Sequence, residues 1–155
     1  IEIWTSWTSG GSGVYSYFID FRYDTSVNTR PMIYESGAGG NLGKISYYQH
    51  NYGSSVDTSQ AFSASPNPWT QLLFSRGTQG TPNNLKWFIN GALSSQGNYS
   101  ENQDFYTEKI SIGRRYANSD FLNGKISMIR IYKDKAFTAD EASSHYETFR
   151  HRFGI

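Results

Sequence analysis

Retaining hydrolysis of a glycosidic bond needs two carboxyl groups about 5–5.5 Å apart. On a strand, residues i and i+2 share a face at roughly 6.6–7 Å of rise, so the expected signature is Glu-x-Asp-x-Glu. The sequence has no such run. Glu101 and Asp104 stand three apart in a polar loop, Asp140 and Glu141 sit where a helix should begin, and Glu2 precedes Ile3-Trp4 with no second acid nearby. Gly10-Gly11-Ser12-Gly13 has neither the Gly-x-Ser-x-Gly spacing nor the strand–turn–helix context of a serine nucleophile. Cysteine is absent, which removes thiol catalysis, a disulfide frame and a cysteine zinc cluster. His145 and His151 are six apart and do not share a helix face, and His50 ends a strand candidate. The chain reads as a non-enzyme.

Binding chemistry is better represented. A sugar offers apolar ring faces that stack on aromatics and hydroxyls that take directional hydrogen bonds from amides and acids. Two segments carry that mixture: Tyr47-Tyr48-Gln49-His50-Asn51-Tyr52 and Arg115-Tyr116-Ala117-Asn118-Ser119-Asp120. Tyr47 and Tyr48 are adjacent on a strand candidate, so they face opposite sides and one is left for the surface. The candidate ligand-binding residues are therefore Tyr48, His50, Asn51, Tyr52, Tyr116, Asn118 and Asp120, expected on loops at one rim of a rigid β scaffold. Asn118, Asp120 and Asn123 also supply the hard oxygens that Ca2+ prefers, but no loop has the dense acidic spacing of an EF-hand. Asn98-Tyr99-Ser100 has the form of a glycosylation sequon.

The elements that must position these residues are mostly strands. The 155 residues include 10 Phe, 4 Trp and 12 Tyr, only 17% are charged, and small polar residues are abundant, which suits sheets rather than helix bundles. The formal net charge of +1 gives no basic surface that would argue for nucleic acid, and no apolar stretch approaches the ~20 residues of a spanning helix. The length suits one domain, expected over residues 1–155, and the lack of Met at position 1 suits a fragment or processed product. Residues 14–23 alternate, with Tyr15, Tyr17, Ile19, Phe21 and Tyr23 on one side and Ser16, Asp20 and Arg22 on the other, predicting a half-buried strand. Further strands are predicted over 31–35, 44–50, 70–76, 84–89, 109–113 and 125–133, with Asn90-Gly91 as a tight hairpin turn. One helix is expected from Thr138 to Arg150: Thr138 and Glu141 form a capping box, and Ala142, Tyr146, Phe149 and Phe153 make an apolar stripe. Trp69, Trp87, Phe88, Ile110, Ile112, Ile129, Ile131, Tyr146 and Phe149 are the expected core.

The second half resembles a known family. Trp69-Thr-Gln-Leu-Leu-Phe74, Leu85-Lys-Trp-Phe-Ile-Asn-Gly91, Ile110-Ser-Ile-Gly-Arg114, Phe121-Leu-Asn-Gly-Lys-Ile126 and Ala136-Phe-Thr-Ala-Asp-Glu141 follow in the order seen in laminin-G-like, concanavalin A-like jelly rolls. The resemblance covers roughly Val14 to Gly154. It implies an all-β fold, a two-sheet antiparallel sandwich with one short C-terminal helix. It also implies a recognition or adhesion module that binds glycans or a cell-surface protein. The alternative is a decoration or fibre domain packed against other subunits of a virion or other large assembly. Either use places the chain outside the cell, at a cell surface or virion surface, with no membrane insertion. Some relatives hold calcium through acidic oxygens; where members often carry an acid after Gly-x-Ile, this chain has Ser127, which weakens that implication, so no cofactor is expected, with Ca2+ as the alternative.

Overall fold

Short strands with one apolar face gain nothing in isolation; two such sheets are stable once their apolar faces meet. The computed structural model describes residues 1–22, 31–49, 54–62, 66–98 and 109–155. Within them, one sheet runs β10 (Gly124–Arg130), β1 (Glu2–Trp7), β6 (Thr70–Arg76), β7 (Leu85–Ile89), β8 (Ala92–Gly97), and the other β5 (Ser54–Asp57), β4 (Ile45–Gln49), β3 (Pro31–Glu35), β2 (Ser16–Asp20), β9 (Ser111–Ile112). Neighbouring strands pair antiparallel throughout. Ile3, Trp7, Phe18, Ile33, Ile45, Tyr47, Leu72, Phe74 and Trp87 fill the space between the sheets. Tyr47 of β4 stacks on Phe74 of β6 at 4.0 Å, and Trp87 Nε1 of β7 donates to the Val56 carbonyl of β5 at 2.8 Å.

The first sheet is buried on its outer face too. Helix α1 (Ala139–Phe149) starts at Thr138, whose hydroxyl accepts from the Glu141 amide while the Glu141 carboxylate accepts from the Thr138 amide. Lys135 adds an ion pair to Glu141, and these hydrogen bonds pull its pKa down to about 2. Tyr146 and, from the following turn, Phe153 stack on Trp4 at 5.8 and 4.3 Å, while Phe153 also leans on Trp69. Leu73, Phe88, Phe137 and Ala142 close a second small core beneath the helix. This two-sided burial explains why Leu72 and Leu73 are adjacent and both fully buried.

Under the helix, Glu2 is fully buried. Its Oε1 accepts from Trp4 Nε1 and Gln71 Nε2, each at 2.9 Å, and its Oε2 accepts from Tyr132 Oη at 2.7 Å. Burial alone would raise the Glu2 pKa; the bonds from Tyr132, Gln71 and Trp4 outweigh it and hold the carboxyl below its usual range. Gln71 also takes the Gly91 amide on Oε1, and its own amide donates to Asn90 Oδ1, so the hairpin turn is tied to the same network.

Three strands were not among those expected from the sequence: β5, β8 and β1. The last is a central strand, lying between β10 and β6. Ile110, Ile112 and Ile131, expected in the core, are 43%, 56% and 55% exposed, because β9 is a two-residue edge strand and β10 ends at Arg130 before Ile131. Trp69, Ile129, Tyr146 and Phe149 are half-buried, whereas Trp87 and Phe88 are fully buried as expected. No helix among the described residues is long and apolar enough to cross a membrane.

Candidate functional site

The alternation over residues 14–23 breaks at Phe18. Tyr17 pairs with Tyr34 and Ile19 with Ile33, leaving Phe18 as the extra residue of a β-bulge. Phe18 and Ile19 are consecutive members of the core. The bulge reverses the facing of the strand: Tyr15 and Tyr17, expected alongside Ile19 and Phe21, instead share the outer face with Arg22. On β3, Ile33 points into the core and Met32 and Tyr34 point out; on β4, Tyr47 points in and Tyr48 out. The result is an aromatic row across three strands. Tyr34 lies 5.2 Å from Tyr17 in a near-parallel stack, 5.8 Å from Tyr15, and 6.5 Å from Tyr48 edge-on.

These side chains line an open depression of about 270 Å³ whose other walls are Arg22, Met32 and Arg115. Arg22 is almost wholly buried and held in plane by Asp20: Nε donates to Oδ1 at 2.9 Å and Nη2 to Oδ2 at 2.8 Å. Burial would lower the Arg22 pKa, but the hydrogen bonds and charge of Asp20 raise it, so this side chain keeps its charge. Asp20 Oδ2 also accepts the backbone amide of Tyr116 at 3.2 Å, which anchors the 114–120 loop to β2. The Tyr116 ring then lies 4.8 Å from the Arg22 guanidinium and 5.7 Å from that of Arg115. Burial, reinforced by Tyr17, pushes the Tyr34 phenol up to about 12, and burial also raises Tyr17; both stay neutral and able to donate at any physiological pH.

The residues singled out from sequence fare differently. Tyr48 lines the depression on an open sheet face rather than a rim loop, and Tyr116 packs against both of its arginines. The structure thus brings the two chain segments together. Asn118 and Asp120 do other work. Both adopt positive φ, 59° and 52°; Asn118 Oδ1 accepts from Arg114 Nη1, and Asp120 Oδ2 accepts from Arg115 Nη1 at 3.3 Å and Ser119 Oγ at 3.0 Å. They shape the loop that presents Arg115 and Tyr116. His50, Asn51 and Tyr52 lie outside the described residues, as do Glu101 and Asp104. Tyr15, Tyr17, Arg22, Met32, Tyr34 and Arg115 were not in the sequence-derived set. Tyr34 carries a usable signal, since it alternates with Ile33; period-2 counting puts Tyr15 and Tyr17 on the opposite face because the bulge is invisible to it.

Calcium does not fit the 114–120 loop. The side-chain oxygens of Asn118 and Asp120 already accept from Arg114 and Arg115, cations that would repel a second positive charge. Among the described residues, no three His, Asp or Glu side chains gather as a metal-binding group. A second cleft, of about 690 Å³, is lined in part by Phe21, Phe74, Ile110 and Ile131.

Two five-stranded antiparallel sheets facing each other across an aromatic core, with a short C-terminal helix on one of them, define a concanavalin A-like β-sandwich. The chain belongs to the concanavalin A-like lectin/glucanases superfamily, whose laminin-G-like sequence model matches residues 1–143. Among solved structures it is similar to a Bacteroides ovatus protein described as a "putative carbohydrate binding protein", with a TM-score of 0.64 and 12% identity over 92% of this chain. The match spans only 39% of that longer protein, and at this identity it speaks for the fold. A comparison with curated proteins finds no match.

Proposed function

We propose that the chain is a non-enzymatic carbohydrate-binding module and that the tyrosine-lined depression is its binding site. The observation that carries this reading is the row of half-buried rings Tyr15, Tyr34 and Tyr48 on the outer face of the sheet, with the buried Tyr17 stacked on Tyr34 and two guanidiniums flanking them. Aromatic faces suit the apolar faces of sugar rings, and phenols and guanidiniums suit their hydroxyls. The family, and the carbohydrate-binding description of the Bacteroides protein, support the same class. The superfamily also contains glucanases, but among the described residues no carboxylate lines this depression, and the Asp20 oxygens beneath it are taken up by Arg22 and the Tyr116 amide. Hydrolysis would need an acid and a base or nucleophile there. Adhesion to surface-displayed glycans outside the cell follows from this reading. No structural observation favours the virion or assembly role over it.

The test is a glycan array probed with the wild type, Tyr48→Ala and Tyr116→Ala, each variant first checked for an unchanged melting temperature. Loss of the wild-type signal in both folded variants supports the site; unchanged binding in both removes it. Because two or three rings give modest energy against the cost of association, single-site affinity should be weak and should rise steeply on multivalent display.

A further inference from the structure

We propose that the depression selects acidic glycans, those carrying a carboxylate or a sulfate, and that Arg115 is the residue that engages the acid group. The inference deepens the sugar-binding reading and rests on it. Among the described residues, two of the lining side chains are guanidiniums and none is a carboxylate. The two arginines are neutralised to very different degrees. Arg22 is gripped in a bidentate pair by a carboxylate beneath the surface, at 2.8 and 2.9 Å, and is only 4% exposed. Asp20 largely cancels its charge, and it has little capacity to reach out.

Arg115 is the opposite case. Its side chain is 39% exposed, and its ion pair is a single contact of 3.3 Å to Asp120, which also takes the Ser119 hydroxyl. Its Nε is cut off from solvent and has no hydrogen-bond partner, so part of the guanidinium has lost water without gaining an acceptor. The exposed end of this guanidinium, at the edge of an aromatic trough and braced by the Tyr116 ring at 5.7 Å, is suited to a planar or tetrahedral oxyanion on a ligand whose ring lies along the tyrosines. A neutral sugar offers that weakly paired charge only hydroxyl dipoles, and this is the physical basis of the selectivity.

The experiment uses the whole 155-residue chain on an array of oligogalacturonates, their methyl-esterified and carboxyl-reduced counterparts, and sulfated galactan oligosaccharides beside unsulfated ones. The tightest acidic and neutral pair is then titrated calorimetrically at low and high NaCl, with wild type, Arg115→Gln, Arg115→Lys and Tyr48→Ala. The acidic member should bind at least tenfold tighter than its neutral partner, and the advantage should shrink as salt rises. Arg115→Gln should lose about 10- to 100-fold on the acidic ligand, the scale of a charge-assisted hydrogen bond. Its loss on the neutral member should be clearly smaller than on the acidic one, and Arg115→Lys should recover part of the acidic loss. Preference for carboxylated or for sulfated members identifies which acid group is read. Equal binding of acidic and neutral members, with Tyr48→Ala still abolishing both, overturns the acid selectivity and leaves the sugar site standing. Failure of the wild type to retain any member overturns both. The wild-type comparison of matched ligands stands whether or not an Arg115 variant folds.

Discussion

Arg22 and Asp20, two residues apart where β2 ends, form a planar bidentate ion pair that solvent barely touches, at 2.8 and 2.9 Å. The pair is the hinge between architecture and site. Asp20 fixes the guanidinium in the wall of the depression, and its second oxygen ties down the Tyr116 amide of the neighbouring loop. Asp20→Asn would leave the Arg22 charge buried and unpaired. The expected cost is about 3–5 kcal/mol, the range for breaking a buried pair from one side. Urea unfolding measures it; a change within about 0.5 kcal/mol would show that the pair is dispensable.

Tyr34 touches Tyr15, Tyr17 and Tyr48 and holds the centre of the aromatic row. Tyr34→Ala should weaken binding to the best array ligand by roughly tenfold or more, as for a central aromatic in a binding surface. Leu93→Ala, a truncation on the other sheet at a half-exposed residue, should leave affinity unchanged and serves as the control. Calorimetric titration of both variants decides; equal affinities would move the site elsewhere.

The asparagine–glycine hairpin turn is also where the helix docks. Gly91 has φ 77°, and a Cβ there would fall 2.9 Å from Tyr146 Cβ and 3.0 Å from Ser143 Cα. Gly91→Ala therefore incurs both backbone strain, about 1–3 kcal/mol, and displacement of α1 from the sheet. The expected signature is a lowered melting temperature together with faster amide exchange over 139–149. A melting curve superposable on the wild type would contradict it.

Glu2 and Glu35 should pull stability in opposite directions with pH. The folded-state pKa of Glu2 lies below the ordinary 4.5: burial would raise it, but the bonds from Tyr132, Gln71 and Trp4 prevail. Its contribution is complete above pH 4.5 and is lost as pH falls from there through the lowered value. Burial raises the pKa of Glu35, only partly offset by Ser9, the Gly10 amide and Ser16. Its ionisation therefore opposes folding, a penalty absent below pH 4.5 that grows as pH rises through the raised value. Melting temperatures from pH 3 to pH 8 for Glu2→Gln and Glu35→Gln check the signs. Relative to wild type, Glu2→Gln should lose ground as pH rises from 3 and Glu35→Gln should gain it. The reverse order for either would refute its assignment.

Much of this molecule is legible from neighbours in the chain. The capping box of Thr138 and Glu141, the Asn90-Gly91 turn and the in–out alternation of Ile33/Tyr34 and Tyr47/Tyr48 depend on atoms a few residues apart, so the sequence specifies them wherever the segment lies. The ordered motifs from Trp69 to Glu141 add the family and the sandwich. The rest was decided by long-range pairing. Glu2–Trp7 is a strand because β6 and β10 flank it, and its buried glutamate is tolerated because Tyr132 and Gln71 arrive from distant parts of the chain to bond it. Ile112 belongs to a recognised motif yet remains exposed, because its strand stops after two residues at an open edge. The tyrosine row exists because one extra residue, Phe18, is accommodated where β2 meets β3, turning Tyr15 and Tyr17 away from the core. No count of alternating residues contains that information, since the bulge is a property of the register between two strands and not of either strand alone.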